Sequence, residues 1–158
     1  MKKTVFFLLA VVCFALVGVS SALAGSNSFG VRAGYGSEPD QFVIGGRALM
    51  GNFLKITRFA PGFDYGTGDN ITTYTFNGDV LLLLKLPNSS LALYAAGGPT
   101  VTYWDADKGG SDTEVGATIA GGLRLPMGKA GFYELEARFG IGDVPEFKLM
   151  FGIMFGGK

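Results

Sequence analysis

Eight amphipathic segments separated by turn clusters predict an all-β fold, an eight-stranded antiparallel up-and-down β-barrel. Three observations point to it. The C-terminal stretch Phe147-Lys148-Leu149-Met150-Phe151-Gly152-Ile153-Met154-Phe155 is large and apolar at every odd position, which is the period-two pattern of a strand. The 26 glycines and recurrent prolines interrupt any long helix, and beyond residue 24 no apolar run reaches the ~20 residues of a membrane helix. A strand as greasy as the last one would template aggregation at a free edge, and closing the sheet removes both edges.

The leader comes first. Lys2 and Lys3 precede an apolar core over 5–19, and Ala22-Leu23-Ala24 is a small-x-small cleavage site before Gly25. This is the layout of a secretory signal peptide, expected over 1–24, with the barrel over 25–158. The leader takes with it the single cysteine, Cys13, so disulfides and thiolate metal sites are not expected in the remainder. It also takes two of the 13 basic residues, so 11 face 13 acids, a net charge of −2. That balance gives no basic footprint for nucleic acid.

The first strand is expected over 29–35, with Phe29, Val31 and Tyr35 on one face and Gly30, Arg32 and Gly34 on the other. The loop Gly36-Ser37-Glu38-Pro39-Asp40 follows. The second strand, 41–49, sets Phe42 and Ile44 against Gly45 and Arg47 and closes at Met50-Gly51-Asn52. The third, 53–65, breaks phase: Leu54 and Ile56 share a face with Phe59, Phe63 and Tyr65 only if one residue is added near Thr57-Arg58, so a bulge is expected there. The fourth, 71–86, sets Tyr74, Phe76, Val80, Leu82 and Leu84 against Asp79 and Lys85. The fifth, 91–104, carries Leu91, Leu93, Val101 and Tyr103, with Gly97-Gly98-Pro99 read as a bend or bulge. A long loop over 105–112 leads to the sixth strand, 113–125, where Val115, Ile119, Leu123 and Leu125 oppose Glu114, Gly116, Thr118, Gly122 and Arg124. The seventh, 132–140, sets Tyr133, Leu135 and Phe139 against Glu134, Glu136 and Arg138. The eighth is 147–155.

Both a soluble and a membrane barrel have one apolar and one polar face, so alternation alone does not orient the wall. Size does. Eight strands leave an interior barely wide enough for side chains. The ring-rich and leucine-rich face does not fit there, while the glycine-rich, polar face does. The apolar face therefore points outward and must meet a lipid bilayer, in which a closed barrel satisfies every backbone polar group. The same step turns Arg32, Arg47, Asp79, Glu114, Arg124, Glu134, Glu136, Arg138 and Lys148 into the lumen as a charge network, since buried charges must be paired. Tyr35, Phe42, Tyr65, Tyr74, Tyr103, Tyr133, Phe147 and Phe155 lie near strand ends as membrane-interface aromatics, accompanied by Phe29, Trp104 and Phe132.

With those faces assigned, the chain resembles the small outer-membrane β-barrel family, which includes the OmpA membrane domain, OmpX-like and opacity-type proteins. The resemblance rests on the leader, the eight-strand meander and the closing pattern Phe147-x-Leu149-x-Phe151-x-Ile153-x-Phe155. It implies an eight-stranded transmembrane β-barrel in the bacterial outer membrane, with both termini in the periplasm. It also implies that the outer-membrane assembly machinery reads the aromatic end of the last strand. The family ends on that aromatic, whereas this chain continues with Gly156-Gly157-Lys158. The acids Glu38, Asp40, Asp69, Asp105, Asp107, Asp112, Asp143 and Glu146 then lie in the outer loops.

No chemistry-bearing motif emerges. The chain has no histidine, which excludes Ser-His hydrolysis and His metal ligation. Glu134 and Glu136 could act as an acid–base pair, but inward ion pairing with neighbouring arginines accounts for them. The run from Asp105 to Asp112 starts like a calcium loop but has Gly116 where the twelfth-position acid belongs. No cofactor and no metal are expected. The expected role is non-enzymatic: an integral outer-membrane barrel with surface-exposed loops, structural or binding an adhesion partner. The alternatives are a narrow channel or ligand-binding barrel for small apolar molecules, with a gap at Gly97-Gly98-Pro99, and a soluble periplasmic lipid-binding barrel.

Overall fold

The computed structural model describes residues 27–54, 56–106, 109–128 and 130–156, so the leader expected over 1–24 lies outside the described residues. Eight strands follow in chain order: β1 (Ser28–Ser37), β2 (Gln41–Leu54), β3 (Thr57–Gly68), β4 (Ile71–Lys85), β5 (Ala92–Ala106), β6 (Gly110–Met127), β7 (Gly131–Ile141) and β8 (Phe147–Gly156). Each pairs antiparallel with its chain neighbours, and β1 pairs with β8 from Ser28↔Gly156 to Ser37↔Phe147. The sheet is a closed barrel with no free edge. Both described ends of the chain lie at one mouth, the terminal end. The turns at 38–40, 69–70 and 142–146 lie at the other, the distal end.

The wall is inside out relative to a water-soluble core. Val31 and Val115 are 63% and 70% exposed on the outer face, while Arg47 and Asp79 are 4% and 0% exposed on the inner one. The bulky apolar residues Phe42, Ile44, Val80, Leu84, Leu135, Phe139, Leu149 and Phe151 all stand outside. A continuous apolar exterior of this kind is suited to hydrocarbon and not to water.

The largest departures from the expected bounds are at the β2–β3 connection and at the β5–β6 loop. β2 runs through Met50-Gly51-Asn52 to Leu54, and the connection falls at residues 55–56, where Ile56 is exposed at the turn. The irregularity is in β2 and not at Thr57-Arg58. The β2–β3 register shifts between Met50↔Phe59 and Leu54↔Thr57, whereas β3–β4 pairing is unbroken from Thr57↔Leu82 to Gly68↔Ile71. The cause lies at Gly51, which adopts φ 66° and donates its N–H to Asn27 Oδ1 at 3.1 Å instead of continuing the ladder. The loop expected over 105–112 is also shorter, because Asp105↔Ser111 and Ala106↔Gly110 extend the β5–β6 hairpin.

The Gly97-Gly98-Pro99 segment is a bend and not a bulge. β5 holds one register with β6 through Gly97↔Ile119, Gly98↔Thr118 and Pro99↔Ala117, and one register with β4 on either side, Asn77↔Thr100 and Val80↔Gly97. At the β1–β8 seam the strands approach closely: a Cβ on Gly34 would fall 1.9 Å from the Leu149 carbonyl oxygen. Gly34→Val is therefore expected to block closure of the seam. In a detergent gel run without boiling, the variant should lack the compact fast-migrating form that the parent chain shows; equal compact bands would show that the seam tolerates a side chain there.

Candidate functional site

The one place where chemistry-bearing side chains converge, among the described residues, is the lumen. Alternation builds it: Glu134, Glu136 and Arg138 are spaced by two on β7 and so project to one side of the wall. Glu136 is the hub. Its Oε1 accepts from Arg32 Nη1 at 3.1 Å and Arg138 Nε at 3.1 Å. Its Oε2 lies 2.5 Å from Arg47 Nη2 and accepts from the Tyr94 hydroxyl at 2.9 Å. Two guanidinium groups from β1 and β2, and a third from Arg138 two residues along β7, are thus tied to one carboxylate.

Three further carboxylates complete the network. Asp64 accepts a bidentate pair from Arg32, Nε to Oδ1 and Nη2 to Oδ2, both at 2.9 Å, in the fork geometry that makes such pairs strong. Lys148 Nζ lies 3.5 Å from Asp64 Oδ2 and donates to Thr75 Oγ1 at 3.3 Å. Asp79 accepts from Arg138 Nη2 at 2.5 Å, and Arg138 Nη1 donates to Thr118 Oγ1 at 2.7 Å. Glu134 accepts from Arg124 Nε at 2.7 Å and lies 3.5 Å from Arg47 Nη1. The Arg124 guanidinium is flanked by the rings of Tyr94 and Phe132, 4.8 and 4.6 Å from their centroids.

Above and below this ionic layer the lumen changes character. Towards the terminal end it is filled by Leu49, Ala60, Leu81, Tyr94, Ala96, Ala120 and Met154, with Leu83 and Phe132 packed against them. Towards the distal end it is lined by hydroxyl and amide groups. There Thr73 Oγ1 donates to Gln41 Oε1 at 2.8 Å, and the Thr75 and Thr102 hydroxyls lie 3.3 Å apart.

Of the charges that the sequence assigns to the lumen, the structure brings together Arg32, Arg47, Asp79, Arg124, Glu134, Glu136, Arg138 and Lys148. Glu114 is not among them: it is half-buried towards the distal end, opposite Thr102, and takes part in none of the network's ion pairs among the described residues. Asp64 is the functional residue the sequence reading missed. It sits between Phe63 and Tyr65, so the phase already assigned to those rings placed it inside.

The aromatics form two bands. Near the distal end, Tyr65 and Tyr74 meet at 5.4 Å between centroids, Tyr74 and Tyr103 at 6.1 Å, and Phe139 and Phe147 at 5.1 Å. Tyr35 and Phe42 face each other in the β1–β2 register, and the Tyr35 hydroxyl donates to the Asp40 carboxylate. Near the terminal end, Phe29 meets Phe155 at 6.0 Å, and Tyr133 stacks on Phe151 at 5.9 Å. Trp104 and Phe132 do not join the bands. Each is adjacent in sequence to an outward tyrosine, and alternation turns it to the inner side, where Phe132 covers Arg124.

No protein-family model and no curated protein matches the chain. Solved structures do. The N-terminal β-barrel domain of Pseudomonas aeruginosa OprF superposes with a TM-score of 0.65 at 16% identity, over 81% of this chain and 96% of that one. Neisserial surface protein A gives 0.64 at 13% identity, over 82% of this chain and 95% of that one. The de novo designed barrel TMB2.3 gives 0.58 at 17% identity, over 84% and 94%.

Removing the hub should be costly, because three buried guanidinium groups would lose a shared partner. Glu136→Ala is expected to lower unfolding stability by about 3–5 kcal/mol, while Glu114→Gln should stay within about 0.5 kcal/mol. Urea titration of the refolded barrel in lipid vesicles measures both, and equal effects would contradict the assigned hub. The chain has the eight-stranded antiparallel transmembrane fold of the small outer-membrane β-barrels.

Proposed function

We propose that the chain is a non-enzymatic integral β-barrel of the bacterial outer membrane that acts as a sealed structural element of the envelope. The observation that carries this reading is the filled lumen: an apolar layer, an ionic layer and a hydroxyl layer succeed one another along the bore. The bilayer is the principal partner, met by the outward Val31, Phe42, Ile44, Leu135 and Phe151 and bounded by the two aromatic bands. In this reading the terminal end faces the periplasm and the distal end faces outside. The aromatic β8 end, with Phe155 against Phe29, serves as the contact for the assembly machinery.

An adhesive or partner-binding role would fall to the distal turns. Those at 38–40 and 69–70 hold three and two residues. They present Glu38, Asp40 and Asp69 as a short acidic rim, beside which the β5–β6 hairpin runs on past the last β6–β7 pair, Ala117↔Ile141, to Ala106↔Gly110. The structural role rests on the filled lumen, and any partner would meet that hairpin first. A narrow channel, or a barrel for small apolar ligands, would need an opening at Gly97-Gly98-Pro99. There a Cβ on Gly98 would lie 2.2 Å from the Gly78 carbonyl oxygen, a close backbone approach that favours a continuous wall.

Planar-bilayer recording of the refolded protein tests the proposal. Insertion without steady single-channel steps is expected. Reproducible unitary conductance would overturn the sealed reading and favour the channel. Release of the protein from cell envelopes without detergent would overturn the membrane reading itself.

A further inference from the structure

The turn between β7 and β8 does not behave like the distal turns at 38–40 and 69–70. Gly142, Asp143 and Glu146 are exposed, but between them Val144 is only 5% exposed and Pro145 is buried. An apolar side chain in a five-residue turn at a barrel mouth is buried only if the turn folds inward. The backbone shows how it does so: Gly142 takes φ 93°, and the Gly140 N–H donates to the Glu146 carbonyl at 2.8 Å.

Two glycines make the seat. Gly116 and Gly140 lie on the inner phase of β6 and β7, two residues beyond Thr118 and Arg138 respectively. A Cβ on Gly116 would come 3.0 and 3.2 Å from the Val144 methyl groups and 2.5 Å from the Ile141 carbonyl oxygen. A Cβ on Gly140 would come 3.0 Å from a Val144 methyl and 2.3 Å from the Pro145 carbonyl oxygen. Any side chain at either position would take the space that Val144 fills. One step deeper on the same two strands, Arg138 Nη1 donates to Thr118 Oγ1 at 2.7 Å, and Arg138 Nη2 holds Asp79 at 2.5 Å.

We infer that residues 142–146 form a folded-in cap whose stopper, Val144, closes the distal mouth on the β6–β7 side and keeps water from the Arg138–Asp79–Thr118 cluster. This rests on the sealed-barrel reading and adds to it. The ionic layer is not left to exclude water alone. An apolar side chain excludes water above it, as the layer of Leu49, Leu81 and Met154 does below. In the drier lumen each ion pair is stronger, and each unmade bond is more costly. The cap is a turn outside the strand ladder, closed by the Gly140 N–H to Glu146 carbonyl bond, and can open without unpairing β7 from β8.

Thr118→Cys places a reporter beneath the cap, with Cys13→Ser added so that it is the only thiol of the chain, and the protein can be refolded into vesicles with the compact gel form verifying folding. A charged methanethiosulfonate reagent should label the reporter slowly when Val144 is present. Labelling should be faster by on the order of ten-fold with Val144→Gly added; Val144→Ser serves if the glycine variant does not fold. Fast labelling with Val144 intact would overturn the cap, as would slow labelling that no Val144 substitution changes. Bilayer recording of the parent chain decides the sealed reading separately. A silent barrel whose reporter labels regardless of Val144 would sink the cap alone.

Discussion

A cylinder of eight strands has a bore too narrow for bulky apolar side chains, and the rest of this structure follows from that limit. The phenylalanines, leucines and valines of the sequence have nowhere to go but outward, and once outward they require hydrocarbon. Hydrocarbon in turn forbids unpaired backbone groups, which the β1–β8 pairing removes by closing the sheet. The same limit selects glycine, threonine, alanine and paired ions for the interior.

The ionic layer does more to fix the fold than to stabilise it. Desolvating paired charges is costly, and apolar packing of equal volume is often as stable. What the network adds is register. A slip of one residue in β7 would turn Glu134, Glu136 and Arg138 into lipid and leave their partners unpaired inside. A single arginine at the bilayer midplane costs about 2–4 kcal/mol, so a shifted strand is penalised several times over. The links from Glu136 on β7 to Arg32 on β1, Arg47 on β2 and Tyr94 on β5 spread that penalty around the closed sheet.

Much of this was legible in the sequence, because a strand exposed to two different media keeps a clean period of two. In β8, Leu149, Phe151 and Ile153 stand outside, while Lys148, Met150 and Gly152 stand inside, as alternation requires. Legibility failed where both faces are apolar or where the backbone leaves the ladder. Leu81, Leu82, Leu83 and Leu84 carry no alternation, so the apolar layer that Leu81 and Leu49 build inside the terminal end had no signal. The β2–β3 turn is not legible, because Gly51 departs from the ladder within a strand, and a glycine in a sequence looks the same in a bulge and in a turn. Trp104 and Phe132 sit at strand ends like the interface rings, but their phase turns them inside. The inward fold of Val144 depends on the distant glycines 116 and 140, a contact that no local pattern encodes.

Which side of the wall faces lipid decides whether this barrel spans a membrane. Spin labels placed one at a time along residues 147–155 of the bilayer-inserted barrel, with relaxation by dissolved oxygen as the readout, test it directly. Oxygen accessibility should rise at Leu149, Phe151 and Ile153 and fall at Lys148, Met150, Gly152 and Met154, with a period of two. The opposite phase, or no alternation along the strand, would contradict it.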